Sequence, residues 1–352
     1  MIIERQSCMI VGEYFIFAGH SKIAKMKTFD ELYYESERNM GMANINEEEL
    51  KKLLVSADFK EESYGNLPIQ EMIILKNSAA IMKTKNPEQE KVGVFFEKRE
   101  SFFLHMILRR IQTMETLFCV FSKATNLPFV YCDPDSCNDQ VWLFTEERFA
   151  QKQAMVQRQK HVELIVVKLE NKQFLTFLTG LFAMGVNAFV LDKGVNAVEI
   201  ELEKLVRKPD FDAVPEEKRP LQNPQLLLTG CYFAQERQLP EEERDKEALH
   251  DLEEEMIVNF HRGKVLVPVQ VPEGAEKVEP KDMKIPFIKL NNGDIYQPVC
   301  ADGAEFQRFN RNKMFKAIVM DSSKVKGMMG EQIKGVMLNP VTLRLLIPKQ
   351  RV

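Results

Sequence analysis

Two short stretches of this sequence resemble each other and guide the interpretation of the rest of the chain. The first is Leu127-Pro128-Phe129-Val130, and the second, 158 residues later, is Ile285-Pro286-Phe287-Ile288. Each combines an apolar residue, a proline, a phenylalanine and a β-branched residue. A polar turn follows each stretch, at residues 133–138 and at residues 291–294. Such turn-forming composition predicts a hairpin in both places.

Three more pairs of apolar segments follow in the same order. The matched segments are residues 141–144 with 297–300, 164–167 with 317–320, and 188–192 with 335–339. The separation falls from 158 to 156, 153 and 147 residues, as expected if each difference shortens a loop or a helix. Matched elements in one order predict a duplicated unit.

Apolar residues recur every three or four positions before the first strand of each unit, which predicts an amphipathic helix. These residues are Phe103, Ile107, Ile111 and Met114 in the first unit, and Leu249, Leu252, Met256 and Phe260 in the second. Each unit is then helix, three strands, helix, strand, helix, strand. Hairpins favour antiparallel pairing, whereas helical crossovers allow parallel pairing. We expect an α/β fold of two tandem repeats, each a mixed β-sheet flanked by helices.

Polar residues predict where helices begin after the third strand. Thr145 precedes Glu146 and Glu147, whose charges suit a helix N-terminus. Asp302 precedes Glu305 at the spacing of a capping box.

The remaining segments define four predicted regions. They are residues 1–94 with no assigned fold, a first unit at 95–207, a linker at 208–240 and a second unit at 241–352. Proline and charge are frequent in the linker, where Leu226-Leu227-Leu228 is predicted to form one docked strand.

Composition limits the functional class. The chain of 352 residues has 48 basic and 52 acidic residues, which argues against binding nucleic acid through a broad basic surface. Its six cysteines complete no zinc quartet and predict reduced thiols in the cytoplasm. Residues 173–191 carry no charge, but glycines within them favour a helix, a turn and a buried strand over a membrane span. We expect neither a nucleic-acid nor a membrane partner.

The sequence has no nucleotide-binding loop, nucleophile elbow or metal-binding histidine pair, so we expect no cofactor and no metal. Asp133, Asp135 and Asp139 alternate as in a calcium loop. Such a loop needs glycine and glutamate where this chain has Asn138 and Phe144, which favours a plain hairpin turn.

The second unit resembles the N-terminal domain of the SseB (enhanced serine sensitivity protein) family. The resemblance rests on the helix ending near Phe260 and on residues 265–268, 285–287 and 335–340. The first unit, with residues 139–145, resembles a divergent copy. It has Asp192-Lys193 where the second has Asn339-Pro340, and Phe144-Thr145 where the second has Cys300-Ala301. The resemblance implies a bacterial cytoplasmic protein and no known catalytic activity.

The leading hypothesis is a non-catalytic binding or regulatory protein, whose partner is another protein or a second copy of the chain. The candidate binding residues are Asp133, Asp135, Asp139, Trp142, Phe144, Thr145, Asn339 and Pro340. The alternative is an enzyme or small-molecule sensor with a ligand site in the cleft between the repeats. A third possibility is a homo-oligomer formed through exposed strand edges.

Overall fold

The computed structural model describes residues 47–57, 59–86, 88–271 and 283–352, and it confirms the α/β class. The helices are α1 (Glu47–Val55), α2 (Glu61–Tyr64), α3 (Ile69–Lys85), α4 (Glu90–Thr113), α5 (Glu147–Arg158), α6 (Asn171–Ala183), α7 (Pro224–Gln238), α8 (Lys246–Arg262), α9 (Gly303–Phe309) and α10 (Ser322–Val325). The strands are β1 (Thr116–Ser122), β2 (Leu127–Pro128), β3 (Val130–Cys132), β4 (Asp139–Phe144), β5 (Leu164–Glu170), β6 (Ala188–Leu191), β7 (Val198–Glu201), β8 (Lys264–Val269), β9 (Ile288–Lys289), β10 (Ile295–Val299), β11 (Lys316–Asp321), β12 (Ile333–Leu338) and β13 (Leu345–Pro348).

The first half of the chain forms a seven-stranded sheet around β1 and β4. The order across it is β5-β1-β4-β6-β7, with the short strands β2 and β3 paired to β1 and β4. β4 and β6 run parallel, with Leu143 opposite Leu191, and the other pairs are antiparallel. Parallel neighbours need a crossover connection, which α5, β5 and α6 provide.

The described strands of the second half pair in the same order and directions. β11 is antiparallel to β8, β10 is parallel to β12, and β12 is antiparallel to β13. A bridge between Leu266 and Cys300 joins β8 to β10, just as β1 joins β4 in the first half. This recurrence supports the predicted duplication, which itself stays a prediction.

A buried helix occupies part of the predicted linker. Residues 224–238 form α7, so the strand predicted at 226–228 was wrong. Pro224 starts the helix, where its missing N–H costs nothing. Buried residues lie on nearly every side of α7; they are Leu226, Leu227, Thr229, Gly230, Cys231, Tyr232, Phe233 and Ala234. A helix that is apolar all round shows no amphipathic period, which explains the error.

This helix joins the two halves. The Gln235 side chain donates to the carbonyl oxygen of Val130 at 2.9 Å and accepts from the Val130 N–H at 3.2 Å. Gly230 lies against Leu343 of the second half, leaving no room for a Cβ atom. Core residues of both halves and of α7 therefore belong to one hydrophobic cluster.

Each half begins with a pair of packed helices, α3 with α4 and α7 with α8. The predicted boundary at residue 95 lies inside α4, which starts at Glu90. Within residues 1–94, to which no fold was assigned, α1, α2 and α3 are also helical. Asn77 of α3 donates to the Ala197 carbonyl at 2.9 Å, so this helix packs on the first sheet.

The seven-stranded sheet and the four-stranded sheet of β9, β10, β12 and β13 each end in a short strand that the sequence pattern did not predict. Asp192 and Asn339 follow β6 and β12 with φ of 55° and 49°, and the chain then turns back into β7 and β13. Asparagine and aspartate tolerate this left-handed conformation better than most residues. In β12, a Cβ atom on Gly335 would clash with the backbone of Ile347, so the two strands approach closely there.

The uncharged segment at 173–191 folds as a helix, a turn and a strand. α6 ends at Ala183, Gly185 follows with a φ of 85°, and the buried strand β6 begins at Ala188. Among the described residues, no helix combines the length and apolarity needed to cross a bilayer.

Candidate functional site

Of the predicted site residues, Thr145 lies where β4 ends and bonds to Asp192, whereas Asp133, Asp135 and Asp139 lie at the other end of β4. The Thr145 N–H and hydroxyl donate to the two carboxylate oxygens of Asp192, each at 2.8 Å. Thr145 was expected to cap α5, but Glu146 is the cap position and Thr145 binds across the sheet instead. This edge carries the carboxyl ends of the parallel strands β4 and β6, where α/β sheets commonly bind ligands.

The second half repeats this link with neutral residues. The Asn339 side-chain oxygen accepts from the Ala301 N–H at 2.8 Å, and Asn339 follows β12 as Asp192 follows β6. Asn339 is 1% exposed, so this amide stabilises the strand end and presents no binding surface. Pro340, the next residue, is half-buried.

Asp192 is fully buried and titratable. Burial raises its pKa from 3.8 to about 7, although hydrogen bonds from Thr145 oppose the shift and the nearby Glu146 adds to it. The Gln70 side-chain amide, on α3, also donates to this carboxylate. The sequence contained one clue to this site, namely the Asp192-for-Asn339 difference between the units.

The aspartates of the β3–β4 hairpin have structural partners. Asp133 accepts from the N–H groups of Asp135 and Ser136, both at 3.0 Å, which closes the turn. Asp135 is exposed. Asp139 accepts from the Tyr232 hydroxyl of α7 at 2.7 Å, and burial raises the pKa of both groups. The structure therefore supports the hairpin turn favoured by the sequence.

Trp142 and Phe144 lie in the core of the first half. They are 2% and 0% exposed and pack in a second cluster with Phe129, on the face covered by α5. Their burial gives them a folding role. Neither presents a surface to a partner.

Sequence reasoning missed a polar cluster beside this hairpin. Glu199 of β7 accepts from the side chains of Ser136 at 3.2 Å, Asn138 and Gln140. Asn187 donates to the Asn138 side chain at 3.0 Å. The cluster joins three strand ends that lie far apart in sequence, and no local motif signals it.

A cavity of about 410 Å³ adjoins this cluster where α7 begins. Its walls include Asn138 and Asn187 of the first sheet, Lys208 of the connecting segment and Gln225 of α7. The predicted Asp133, Asp135, Asp139 and Thr145 are absent from the lining residues.

Nucleophiles and metal ligands do not cluster in the described ranges. Burial raises the pKa of the Cys119, Cys231 and Cys300 thiols, which lowers the reactive thiolate fraction at neutral pH. In the same part of the chain, no three His, Cys, Asp or Glu side chains are grouped closely enough to hold a metal ion.

The outer strands of the two sheets differ in protection. α5 and α6, of 12 and 13 residues, flank β5, whereas the counterparts that flank β11, α9 and α10, have 7 and 4. Val319 of β11 is 54% exposed, and Met314 just before the strand is 56% exposed. The described part of the chain places a strand on one side of β11, namely β8.

The backbone of β11 faces outward at alternate residues. The Ser322 N–H donates to the Gly263 carbonyl at 3.1 Å. With the strand register, this bond determines which residues of β11 direct their backbone groups toward β8. By alternation, the N–H and C=O groups of Ala317, Val319 and Asp321 point away from β8.

Comparison of the chain with protein-family models, curated proteins and solved structures finds no match, so membership of the SseB family stays a prediction.

Proposed function

We propose that this protein is a non-catalytic interaction module that binds an extended, apolar segment of a partner polypeptide along β11. The observation that carries the proposal is the outward-facing backbone of Ala317, Val319 and Asp321 beside exposed apolar side chains. A segment added as a strand would bond to these groups, and its side chains would cover Val319.

The contrast with β5 supports β11 as the binding strand. Exposed edge strands are commonly protected from pairing by charged residues, especially lysine. β5 has Lys168 and Glu170 at outward-facing backbone positions. β11 has Lys316 and Asp321 at its two ends and the uncharged residues 317–320 between them. Among its outward-facing residues, Ala317 and Val319 are uncharged, and Asp321 at the end of the strand carries the charge.

The remaining polar groups support a non-catalytic role. Asp139, Asp192 and Thr145 are held in buried hydrogen bonds that join elements of the fold. A catalytic group must reach a substrate, directly or through one water molecule. These side chains instead bond to one another and to α7.

The test uses a fluorescent peptide of residues 314–323 as the added strand. We expect saturable binding, measured by fluorescence anisotropy, with affinity reduced at least about tenfold in Val319→Lys because a charge then faces the incoming apolar strand. Leu175→Lys is the matched control, because Leu175 is an exposed apolar residue of α6. The control should bind normally. Absence of binding to the wild-type chain, or equal loss in both variants, would contradict the proposal.

A small-molecule sensor is the second candidate function, favoured by the cavity at the start of α7. Its volume lies in the range of ligand pockets, and its walls come from the first half, the connecting segment and the start of α7. Native mass spectrometry of gently purified protein tests it. A stoichiometric small-molecule adduct that is lost in Asn187→Leu, but retained in Asn292→Leu of the exposed second hairpin, would favour the sensor.

A further inference from the structure

We propose that Asp192 is a proton-operated latch that holds helix α3 against the first sheet. Three elements meet at its carboxylate: β6, which Asp192 follows; the start of α5, through Thr145; and α3, through Gln70. Asp192 is 0% exposed, so water cannot solvate an ionised carboxylate while α3 is in place. The inference is independent of the proposed function.

The bond from the Gln70 amide favours the ionised carboxylate of Asp192, but burial outweighs it. The Gln70 side-chain oxygen is buried and has no hydrogen-bond partner among the described residues. A protonated Asp192 would supply the missing donor if the Gln70 amide rotated by half a turn, and the two amide orientations are hard to distinguish by geometry. In that orientation the Gln70 oxygen accepts the Asp192 proton, and the amide NH2 group takes the position of the oxygen that now has no partner.

The charged groups near the latch do not compensate its charge. Glu146, at the start of α5, has the same sign and is paired with Arg148 at 2.7 Å. Lys193 follows Asp192 in the chain, and its ammonium group lies 5.7 Å from the centre of the Tyr131 ring. Glu71, next to Gln70 on α3, is a second buried acid. Ionisation of Asp192 therefore adds a negative charge near that of Glu146.

The second half provides an internal control. Its counterpart of the latch is Asn339, which cannot titrate, and α7 is anchored there by Asn223, which donates to the Ala301 carbonyl at 2.6 Å. At these matching strand ends α3 has a titratable anchor and α7 has neutral ones; elsewhere α7 bonds to the acid Asp139 through Tyr232.

The direction of the pH effect follows from the raised pKa of Asp192. The closed state binds the proton more tightly than the opened state, so opening becomes easier as pH rises from about 4 to about 7. Above that range Asp192 is ionised in both states, and the opening equilibrium no longer changes with pH. One proton changes the opening equilibrium by at most about tenfold per pH unit.

Hydrogen–deuterium exchange on the whole chain, corrected for the intrinsic pH dependence of exchange, tests the latch. We expect protection of residues 69–85 to fall with rising pH in this window. Residues 224–238, which contact the acid Asp139, should show the same slope in the wild type and in Asp192→Asn. Asp192→Asn should remove the pH dependence of α3, and Gln70→Ala should weaken its protection while leaving the titration in place. Constant protection of α3, or an unchanged α3 slope in Asp192→Asn, would overturn the latch. If Asp192→Asn fails to fold, the wild-type slope of α3 and the Gln70→Ala profile decide.

Discussion

Thr145 and Asp192, separated by 47 residues in the sequence, are joined by two hydrogen bonds of 2.8 Å, and Ala301 with Asn339 repeats one of them in the second half. In both halves, a backbone N–H donates to the side chain of the residue that follows a parallel strand, β6 or β12. The added threonine hydroxyl and the carboxylate distinguish the first half. This difference leads to the first two predictions.

Thr145→Val removes one donor to the buried carboxylate while keeping the shape of the side chain. Hydrogen bonds to charged groups contribute about 1.5–3 kcal/mol, so above pH 7, where Asp192 is ionised, we expect a comparable loss in the free energy of unfolding. Urea denaturation followed by the fluorescence of Trp142, the single tryptophan of the chain, measures it. Thr145→Ser, which keeps the hydroxyl, is the control. Equal stability of the two variants would show that the bond contributes nothing.

Asp192→Asn removes a buried titratable charge. The folded chain holds this proton with a pKa of about 7, against 3.8 for the free side chain, so the wild type should lose stability as pH rises between these values. The asparagine variant should lack this loss and be more stable at neutral pH, by up to about 4 kcal/mol. The position tolerates asparagine, since Asn339 has the same left-handed backbone.

Denaturation of both proteins across the acid-to-neutral range tests this second prediction. Asp210→Asn, at an exposed position, is the control and should follow the wild type. Parallel pH profiles for the wild type and Asp192→Asn would refute the prediction.

Tyr232→Phe should weaken the junction between α7 and the first half. The change leaves the half-buried Asp139 carboxylate without the hydroxyl donor that lies 2.7 Å away. An unsatisfied buried acceptor costs about 1–3 kcal/mol, which we expect to lose from the free energy of unfolding. Tyr296→Phe, at a half-buried tyrosine of the second half, should stay within about 0.5 kcal/mol of the wild type. A Tyr232→Phe chain as stable as this control would argue against the junction.

Gly335→Ala should severely destabilise the second half. An added Cβ atom would meet the carbonyl oxygen of Ile347, a backbone atom that cannot move aside without breaking the β12–β13 pairing. We expect a loss of at least about 2 kcal/mol or failure to fold, as for other overpacked sites. Gly327→Ala is the control, because no atom lies within 4 Å of its added Cβ. Thermal melts compare the two, and equal melting temperatures would contradict the close strand approach.

Local sequence patterns determined a large part of this fold. Continuous apolar runs predicted β4, β6, β10 and β12, and the amphipathic spacing ending at Phe260 predicted α8. Asp302 was correctly identified as a helix cap, since its carboxylate accepts from the Glu305 N–H at 2.7 Å. These signals are local, because helix caps and side-chain periods depend on neighbouring residues.

Tertiary packing decided what local patterns could not. α7 is buried against both halves, so its periodicity disappears and residues 226–228 resemble a strand. Glu305 kept the spacing of a capping box, yet its carboxylate accepts from the Val341 and Thr342 N–H groups of a distant loop. Each of these outcomes depends on groups that meet only when the chain folds.

The candidate sites also depended partly on local sequence and partly on tertiary structure. Sequence alone determined the repeated order of elements, the hairpin turns and the Asp192-for-Asn339 difference between the halves. Only the tertiary structure placed Asp192 beneath α3, buried Trp142 and Phe144, and left β11 with short flanking helices. The physical reason is that both the burial of Asp192, which raises its pKa, and the exposure of Val319 depend on packing between segments far apart in the chain.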